Sequence, residues 1–394
     1  MFFSFIRSII KYGTLEIIDP DGKLYTFGSS KPFCCIKIHN NKTKKRILLN
    51  PELCVGEAFV DGELTIEKGT FDDFMDIITK NSFHIDNNPF HFFIKQILSK
   101  LKFFKQFNSI PKSYKNVAHH YDIDEKIYKL FLDKDMQYSC GYFHNDNISL
   151  DQAQIDKKNH LIKKLNINDK NMKVLDIGSG WGGLAIQIAK DTGAYVKGIT
   201  LSKNQYEFSK NRLKEEGLEN LVDFELIDYR DLNGKFDRII SVGMFEHVGL
   251  RNFNNFFKCS KNLLKDDGLM LIHSIGSKYP PYGTNPWIKK YIFPGGYIPT
   301  LSEVSKVLEK QELWVTDIEI WRMHYAKTLK HWRDNFNKNR SKISSILDEK
   351  FCRMWEFYLS VSEYSFRNMG NMVFQIQITK NQESAPLTRN YIYN

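Results

Sequence analysis

Asp176, Gly178, Gly180 and Gly183 fall within Lys173 to Lys190, KVLDIGSGWGGLAIQIAK. Their types and spacing fit one kind of chemistry, the holding of a nucleotide-like cofactor. Val174, Leu175, Asp176 and Ile177 read as a short buried parallel strand, and Leu184, Ala185, Ile188 and Ala189 recur at helical spacing after it. The glycines between them allow positive φ and close approach of backbone to a ligand, while the amides opening the helix present a polar, positive end. Gly178, Gly180 and Gly183 also satisfy GxGxxG, a weak match by itself. A dinucleotide fold wants an acidic side chain for the ribose hydroxyls at the end of the second strand, roughly twenty residues on. Here the strand Tyr195 to Thr200 runs into Leu201, Ser202, Lys203, Asn204 and Gln205 without an acid. NAD is disfavoured.

Asp176 ahead of the glycines, with Asp228, Tyr229 and Arg230 after the strand Val222 to Ile227, fits the other large user of this turn, a methyltransferase using S-adenosylmethionine (SAM). Further strands at Phe236 to Val242 and Leu269 to Ser274 alternate with helical runs. The pattern predicts an α/β fold, a doubly wound and mostly parallel sheet of the class I SAM-dependent methyltransferase, Rossmann-like kind. Trp314 to Trp321 and Met372 to Thr379 supply its last two strands, including an antiparallel edge. Upstream, Asn116 to Leu132 reads as helical, 133–143 as a loop, and Leu150 to Leu165 as a helix. Two insertions exceed what the fold needs. Gly276 to Thr300 is an irregular cover rich in Pro, Gly and aromatics; 322–370 carries helical patterns loaded with Trp332, Phe336, Phe351, Trp355, Phe357, Tyr358 and Phe366. That insertion is either extra core or an aromatic pocket for a long apolar substrate.

The N-terminal residues 1–80 read as a small α+β domain. Short strands are expected at Gly13 to Ile18, Leu24 to Phe27, Cys34 to Ile38 and Arg46 to Leu49, with turns at 19–22 and 39–42 and a helix from about Thr70. By default it is a positioning module or the dimerising surface of a homodimer. Residues 81–115 form a linker, in which Phe90, Phe93, Ile94, Ile97, Leu98, Leu101, Phe104 and Phe107 mark an amphipathic helix with Lys95, Lys100, Lys102 and Lys105 around it. It either docks on the protein's own core or meets an anionic membrane surface. Residues 116–394 are the catalytic domain. With 56 Lys and Arg against 46 Asp and Glu, the net charge of +10 favours an anionic partner such as nucleic acid, a phospholipid surface or an acidic substrate. The six cysteines show no zinc spacing, so no metal is expected and a reduced, cytoplasmic setting is the simplest reading. MFFSFIRSII is too short and too interrupted by Arg7 to span a bilayer, which leaves a protein at most peripheral to the membrane.

Seven motifs carry a family resemblance: YSCGYF (138–143), VLDIGSGWGGLA (174–185), GITLSKNQ (198–205), MFEHVG (244–249), LIHSIG (271–276), IFPGGYIPT (292–300) and HYAKTLKHW (324–332). In order, they resemble the cyclopropane-fatty-acyl-phospholipid synthases and the mycolic acid cyclopropane synthases. GEAFVDGELTIEKGTFDDF (56–74) is similar to the N-terminal domain of the longer, phospholipid-acting members. The resemblance implies transfer of the SAM methyl to a cis double bond of an unsaturated phospholipid acyl chain, then loss of a proton to bound bicarbonate to close a cyclopropane ring. Attack by an alkene leaves a carbocation, so such a site must exclude water and face the cation with aromatic rings and fixed dipoles.

The resemblance further implies a bicarbonate pocket of Cys140, Glu246, His273, Ile275 and Tyr325. In it His273, Tyr325 and the amides near Cys140 and Ile275 donate, Glu246 accepts, and Cys140 shapes the pocket without attacking. The turn and the resemblance together give the cofactor set Tyr138, Ser139, Asp176, Gly178, Ser179, Gly180, Trp181, Gly182, Thr200, Leu201, Ser202, Gln205, Asp228, Tyr229 and Arg230. Two positions depart from the family pattern. Ser179 stands where Cys is usual. In YLSVSEYSFR (358–367) Ser362 replaces a Cys at times assigned as catalytic, which makes it a further candidate. Two alternatives stay open: a C-methyltransferase of the same family giving a methyl-branched or methylene lipid, and a SAM-binding regulatory or nucleic-acid-associated module. The second has against it the aromatic insertion and the lack of any recognisable nucleic-acid motif.

Overall fold

The chain starts with a helix, Phe2–Ile9, and three strands, β1 (Thr14–Ile18), β2 (Leu24–Gly28) and β3 (Phe33–Ile38). A fourth, β4 (Leu64–Lys68), completes a sheet ordered β2-β1-β3-β4, antiparallel except for the parallel β1–β3 pair. This computed structural model describes residues 1–86 and 125–393, which divide into two compact units. The first holds this sheet with 285–292 and 329–370; the second holds the remaining described residues. The amphipathic segment expected over 87–115, with its four lysines, lies outside the described residues, as does the start of the helix expected from Asn116.

One expected strand is corrected. Arg46 to Leu49 is not extended but forms the end of a helix, Asn41–Leu49. Asn40 caps it, its Oδ1 accepting from Thr43 N at 2.8 Å, and Thr43, Ile47 and Leu48 are buried at helical spacing. The turn expected at 39–42 is therefore the start of this helix. The helix expected from Thr70 runs over Phe71–Lys80 and is opened by a capping box between Thr70 and Asp73.

The helical insertion supplies Arg340–Ile346 and Glu349–Asn368 to the first unit. A buried ion network ties it together: Glu363 accepts from Arg333 Nε and Nη2 at 3.1 and 2.9 Å and from Arg367 Nε at 2.8 Å. Arg333 also pairs with Asp72. Arg333→Met leaves Glu363 with Arg367 alone, and the expected loss is about 2–3 kcal/mol, measurable by denaturant unfolding.

In the second unit seven strands form the sheet that carries the glycine turn: β5 (Lys173–Ile177), β6 (Tyr195–Thr200), β7 (Val222–Leu226), β8 (Phe236–Val242), β9 (Leu264–Ser277), β10 (Trp314–Trp321) and β11 (Asn371–Thr379). Their order is β10-β11-β9-β8-β5-β6-β7. All neighbours from β9 to β7 are parallel, while β11 runs antiparallel between β9 and β10. The antiparallel strand is thus interior, and the edge is β10. Strand alternation splits the core between two faces. Leu175, Ile177 and Ile239 pack with Phe245, Phe253 and Phe256 on one, and Val174, Val196 and Ile240 pack with Leu161, Leu184 and Ile188 on the other. The chain leaves β5 toward β6 and returns on the opposite side at β8, so the switch point lies between β5 and β8. Open parallel sheets bind ligands at the carboxyl ends of the strands beside such a point.

Candidate active site

A cavity opens at that place, lined by residues at and just beyond the carboxyl ends of four strands: Asp176 to Trp181 at β5, Thr200 and Leu201 at β6, Ile227 to Arg230 after β7, and Val242 to Met244 at β8. The glycine turn is built as the spacing requires. Gly178 and Ser179 both donate from N to the Ile199 carbonyl, at 2.9 and 3.0 Å, which locks the turn against β6. Gly178 has φ +84°, and a Cβ there would lie 2.8 Å from Met244. Gly180 has φ +54°, yet a Cβ there would meet nothing within 4 Å. It borders open cavity, a cradle that a side chain would fill. Asp176 Oδ2 and Trp181 Nε1 are buried without a partner, and both residues line the same cavity. An unpartnered carboxylate oxygen and an empty space over glycine fit a cationic, nucleoside-sized ligand such as SAM.

Of the expected cofactor residues, Tyr138, Ser139, Asp176, Gly178, Ser179, Gly180, Trp181, Thr200, Leu201, Gln205, Asp228, Tyr229 and Arg230 line the cavity. Gly182 and Ser202 lie outside its lining. A Cβ on Gly182 would meet Phe224 and Ser209, and Ser202 Oγ caps the helix Lys203–Glu216. Thr200 donates to Gln205 Oε1 at 3.0 Å. Asp228 is held bidentately by Arg230, through Nε and Nη2 at 2.7 Å each. Met136, Gln137, Met244, His247 and Asn252 also line the cavity and were not singled out from the sequence.

Tyr138 and Ser139 come from the loop that the sequence placed at 133–143. Asp133 folds its start, accepting from Asp135 N and Gln137 N. Its end is fastened by Gln154 Nε2 donating to Ser139 O, Gly141 N donating to Thr328 Oγ1, and Phe143 N donating to His324 Nδ1, at 2.9, 3.0 and 3.0 Å. Cys140 is thereby fully buried, and burial holds its thiol well above the usual range. A thiol so protonated is no nucleophile.

Glu246 and Ile275 are brought together. Glu246 Oε1 accepts from Ile275 N at 2.7 Å, so the amide expected to meet an anion is already bonded to the carboxylate. Glu246 Oε2 is buried and unpartnered, and burial raises the acid to about 7. His273, on β9, is buried with Trp321 edge-on at 5.2 Å, and Gln375 Nε2 donates to its Nδ1 at 3.0 Å in the assigned amide orientation. Burial holds it well below its ordinary value and keeps it neutral. Tyr325 is half-buried near the start of the helix His324–Lys338 in the same unit. Ser362 belongs to the first unit, half-buried on Glu349–Asn368 with its carbonyl accepting from Ser365 Oγ at 2.7 Å. Among the described residues, no group of three or more His, Cys, Asp or Glu side chains is placed to hold a metal ion.

Burial raises Asp176 and Glu246 each to about 7, above unfolded values near 4. The folded chain then binds more protons than the unfolded one between those limits. The stability these acids contribute is full below pH 4 and is lost as pH rises through 7. The ligand-free protein is therefore expected to melt at lower temperature at pH 8 than at pH 5, and Asp176→Asn should remove part of that slope.

The family model described as Mycolic acid cyclopropane synthetase matches residues 108–376. The Escherichia coli (strain K12) cyclopropane-fatty-acyl-phospholipid synthase is 34% identical over 351 residues, 89% of each chain. A probable fatty acid methyltransferase of Pseudomonas putida is 40% identical over 288 residues, 70% of this chain and 73% of that one. The crystal structure of mycolic acid cyclopropane synthase CmaA1 complexed with SAH and CTAB superposes with a TM-score of 0.64 at 30% identity, covering 67% of this chain and 97% of that chain. The fold is that of a class I SAM-dependent methyltransferase, and the chain is an enzyme of that class. Within that class the chain belongs to the mycolic acid cyclopropane synthetase family, among whose members are the cyclopropane-fatty-acyl-phospholipid synthases.

Proposed function

We propose that this enzyme builds a cyclopropane ring across the cis double bond of an unsaturated acyl chain of a membrane phospholipid. The observation that carries the reading is Glu246. Its neighbours Gly243, Met244, His247 and Val248 line the SAM-type cavity, while its own carboxylate turns toward Ile275 and keeps one buried oxygen unpartnered. When bound, SAM supplies the methyl group and bicarbonate the base that takes the ring-closing proton. Glu246 Oε2 fits that anion as the acceptor of its hydroxyl proton, and His273 Nε2–H and the Tyr325 hydroxyl are its donors. Ile275 N, bonded to Glu246 Oε1, orients the carboxylate. Asp176 faces the cationic cofactor, the Gly178 to Gly180 backbone accommodates it, and Thr200 with Gln205 takes its ribose. Tyr138, set edge-on to Tyr128 at 5.4 Å, and Trp181, tilted against Tyr128 at 5.5 Å, present aromatic surface beside the transferred charge.

A phospholipid substrate is supported by the E. coli relative, whose alignment spans 89% of this chain and so reaches beyond the catalytic part. Among the described residues no helix is long and apolar enough to cross a membrane. In this reading the enzyme works from the cytoplasmic face as a peripheral protein and draws the acyl chain of its substrate to itself. A second reading, methyl branching, has one observation in its favour: the relative named as a probable fatty acid methyltransferase is 40% identical. Expression in a bacterium with monounsaturated lipids, followed by mass spectrometry of the fatty esters, separates the two. A gain of CH2 with loss of the double bond supports the ring, a saturated methyl branch or a methylene lipid supports the second reading, and unchanged lipid sinks both.

A further inference from the structure

Lys157 lies on the helix Leu150–Leu165 with Ala153, Leu161 and Leu165, four residues apart and all buried, on the stripe that faces the sheet. A lysine in such a stripe is unusual, since a buried ammonium loses several kcal/mol of hydration unless something answers it. Its exposure is 0%. Nζ donates to Gln137 Oε1 at 2.6 Å and to Ser139 Oγ at 2.8 Å. Both acceptors are neutral, and both residues line the cofactor cavity. Asp176 faces that cavity with an unpartnered oxygen, yet Lys157 and Asp176 form no ion pair. The opposite charge that acts most strongly on Lys157 is Asp133, so Asp176 keeps its unpartnered oxygen for the cavity side. Lys157 is also the charge felt in common by Asp176, Cys140 and His273.

We propose that Lys157 is a positioning residue of the methyl-transfer site, tying Gln137 and Ser139 into the cavity wall and placing a buried positive charge behind the cavity that Asp176 also lines. This rests on the assignment of the cavity to SAM. With Lys157 in place, Asp176 reaches its anionic form near neutral pH, where a cationic cofactor needs it. Without that charge the carboxylate ionises only at higher pH. Asp133, Asp135, Lys158 and Cys140 are the other groups acting on Lys157, and none of them is removed in the variants below.

The test is calorimetric titration of SAM into the full chain at several pH values from 6 to 8, for the wild type, Lys157→Met and Lys157→Gln, with circular dichroism to confirm folding. The wild type should bind more tightly as pH rises through about 7, the value to which burial raises Asp176. Both variants should bind roughly ten- to a hundredfold more weakly at pH 7, the scale of lost charged hydrogen bonds, and their rise in affinity should move to higher pH. Lys157→Gln keeps hydrogen-bonding capacity without charge, so it should show the same displacement with a smaller loss. Wild-type affinity in both variants, or an equal loss at every pH, would overturn the proposal. A wild type that does not bind SAM would instead overturn the cavity assignment.

Discussion

Glu246→Gln should lower product formation roughly a hundred- to a thousandfold and leave SAM affinity near the wild-type value, because positioned general acid–base groups contribute on that scale. The amide keeps the size of the side chain and can still accept from Ile275 N through its oxygen, so the local fold survives. What changes is the second atom. Where Oε2 now stands buried as an unpartnered acceptor, the variant puts an NH2 that donates. An anion whose hydroxyl proton must be accepted there then meets a donor. His273→Ala should act in the same direction with a loss of at least tenfold, since it removes the Nε2–H and opens a hole beside Trp321. Turnover is read on unsaturated phospholipid vesicles and SAM binding by calorimetry. Wild-type turnover in both variants would remove the pair from the site.

The second large effect belongs to the glycine turn, and its two glycines should fail for different reasons. Gly178→Val meets Met244 at 2.8 Å from its first added atom and forces a β-branched residue to φ +84°. It should destabilise the second unit as well as abolish SAM binding. At Gly180 a side chain collides with nothing, and the positive φ costs about 1–2 kcal/mol. Gly180→Val should therefore stay folded with a modestly lower melting temperature and lose SAM affinity by roughly a hundredfold or more, because the valine occupies space over the backbone where the cofactor meets the turn. Calorimetry and thermal unfolding of the two variants read both differences. Unaltered SAM affinity in folded Gly180→Val would take the turn out of the cofactor site.

The turn was legible because glycine at 178 and 180 has a physical reason the spacing reveals, namely positive φ beside a buried strand. The seven strands of the second sheet were legible through short apolar runs set between helical periods. Position within the sheet was not. Nothing local in Asn371–Thr379 says that it enters between β9 and β10, because pairing is settled by contacts distant in sequence. Arg46 to Leu49 was misread because four residues carry no usable period; the deciding signal, Asn40 as a cap with Thr43 and Ile47 one turn apart, starts six residues earlier. Lys157 escaped notice since lysines on a helix are ordinarily solvated. Its place in the register of Ala153, Leu161 and Leu165 was the signal that could have found it. Met136 and Gln137 reach the cavity from a loop and Asn252 from the short 3-10 helix Leu250–Asn252, and the paths of both follow from packing, not from local pattern. The amide of Ile275, expected to meet an anion, donates to Glu246, a pairing between β9 and the turn after β8 that no local pattern announces.

The most direct measurement of the central claim follows the methyl group itself. Purified enzyme is incubated with SAM carrying a fully deuterated methyl and with vesicles of a cis-monounsaturated phospholipid, and the fatty esters are analysed by mass spectrometry. Ring closure forms two carbon–carbon bonds to the transferred carbon and surrenders one of its hydrogens to the base. The expected product therefore retains two of the three deuteriums and has no double bond. An unsaturated product retaining all three would show that the cation loses a proton of the acyl chain and leaves a methyl-branched alkene, two deuteriums with the unsaturation retained would show a methylene lipid, and either result would contradict cyclopropane formation at this site.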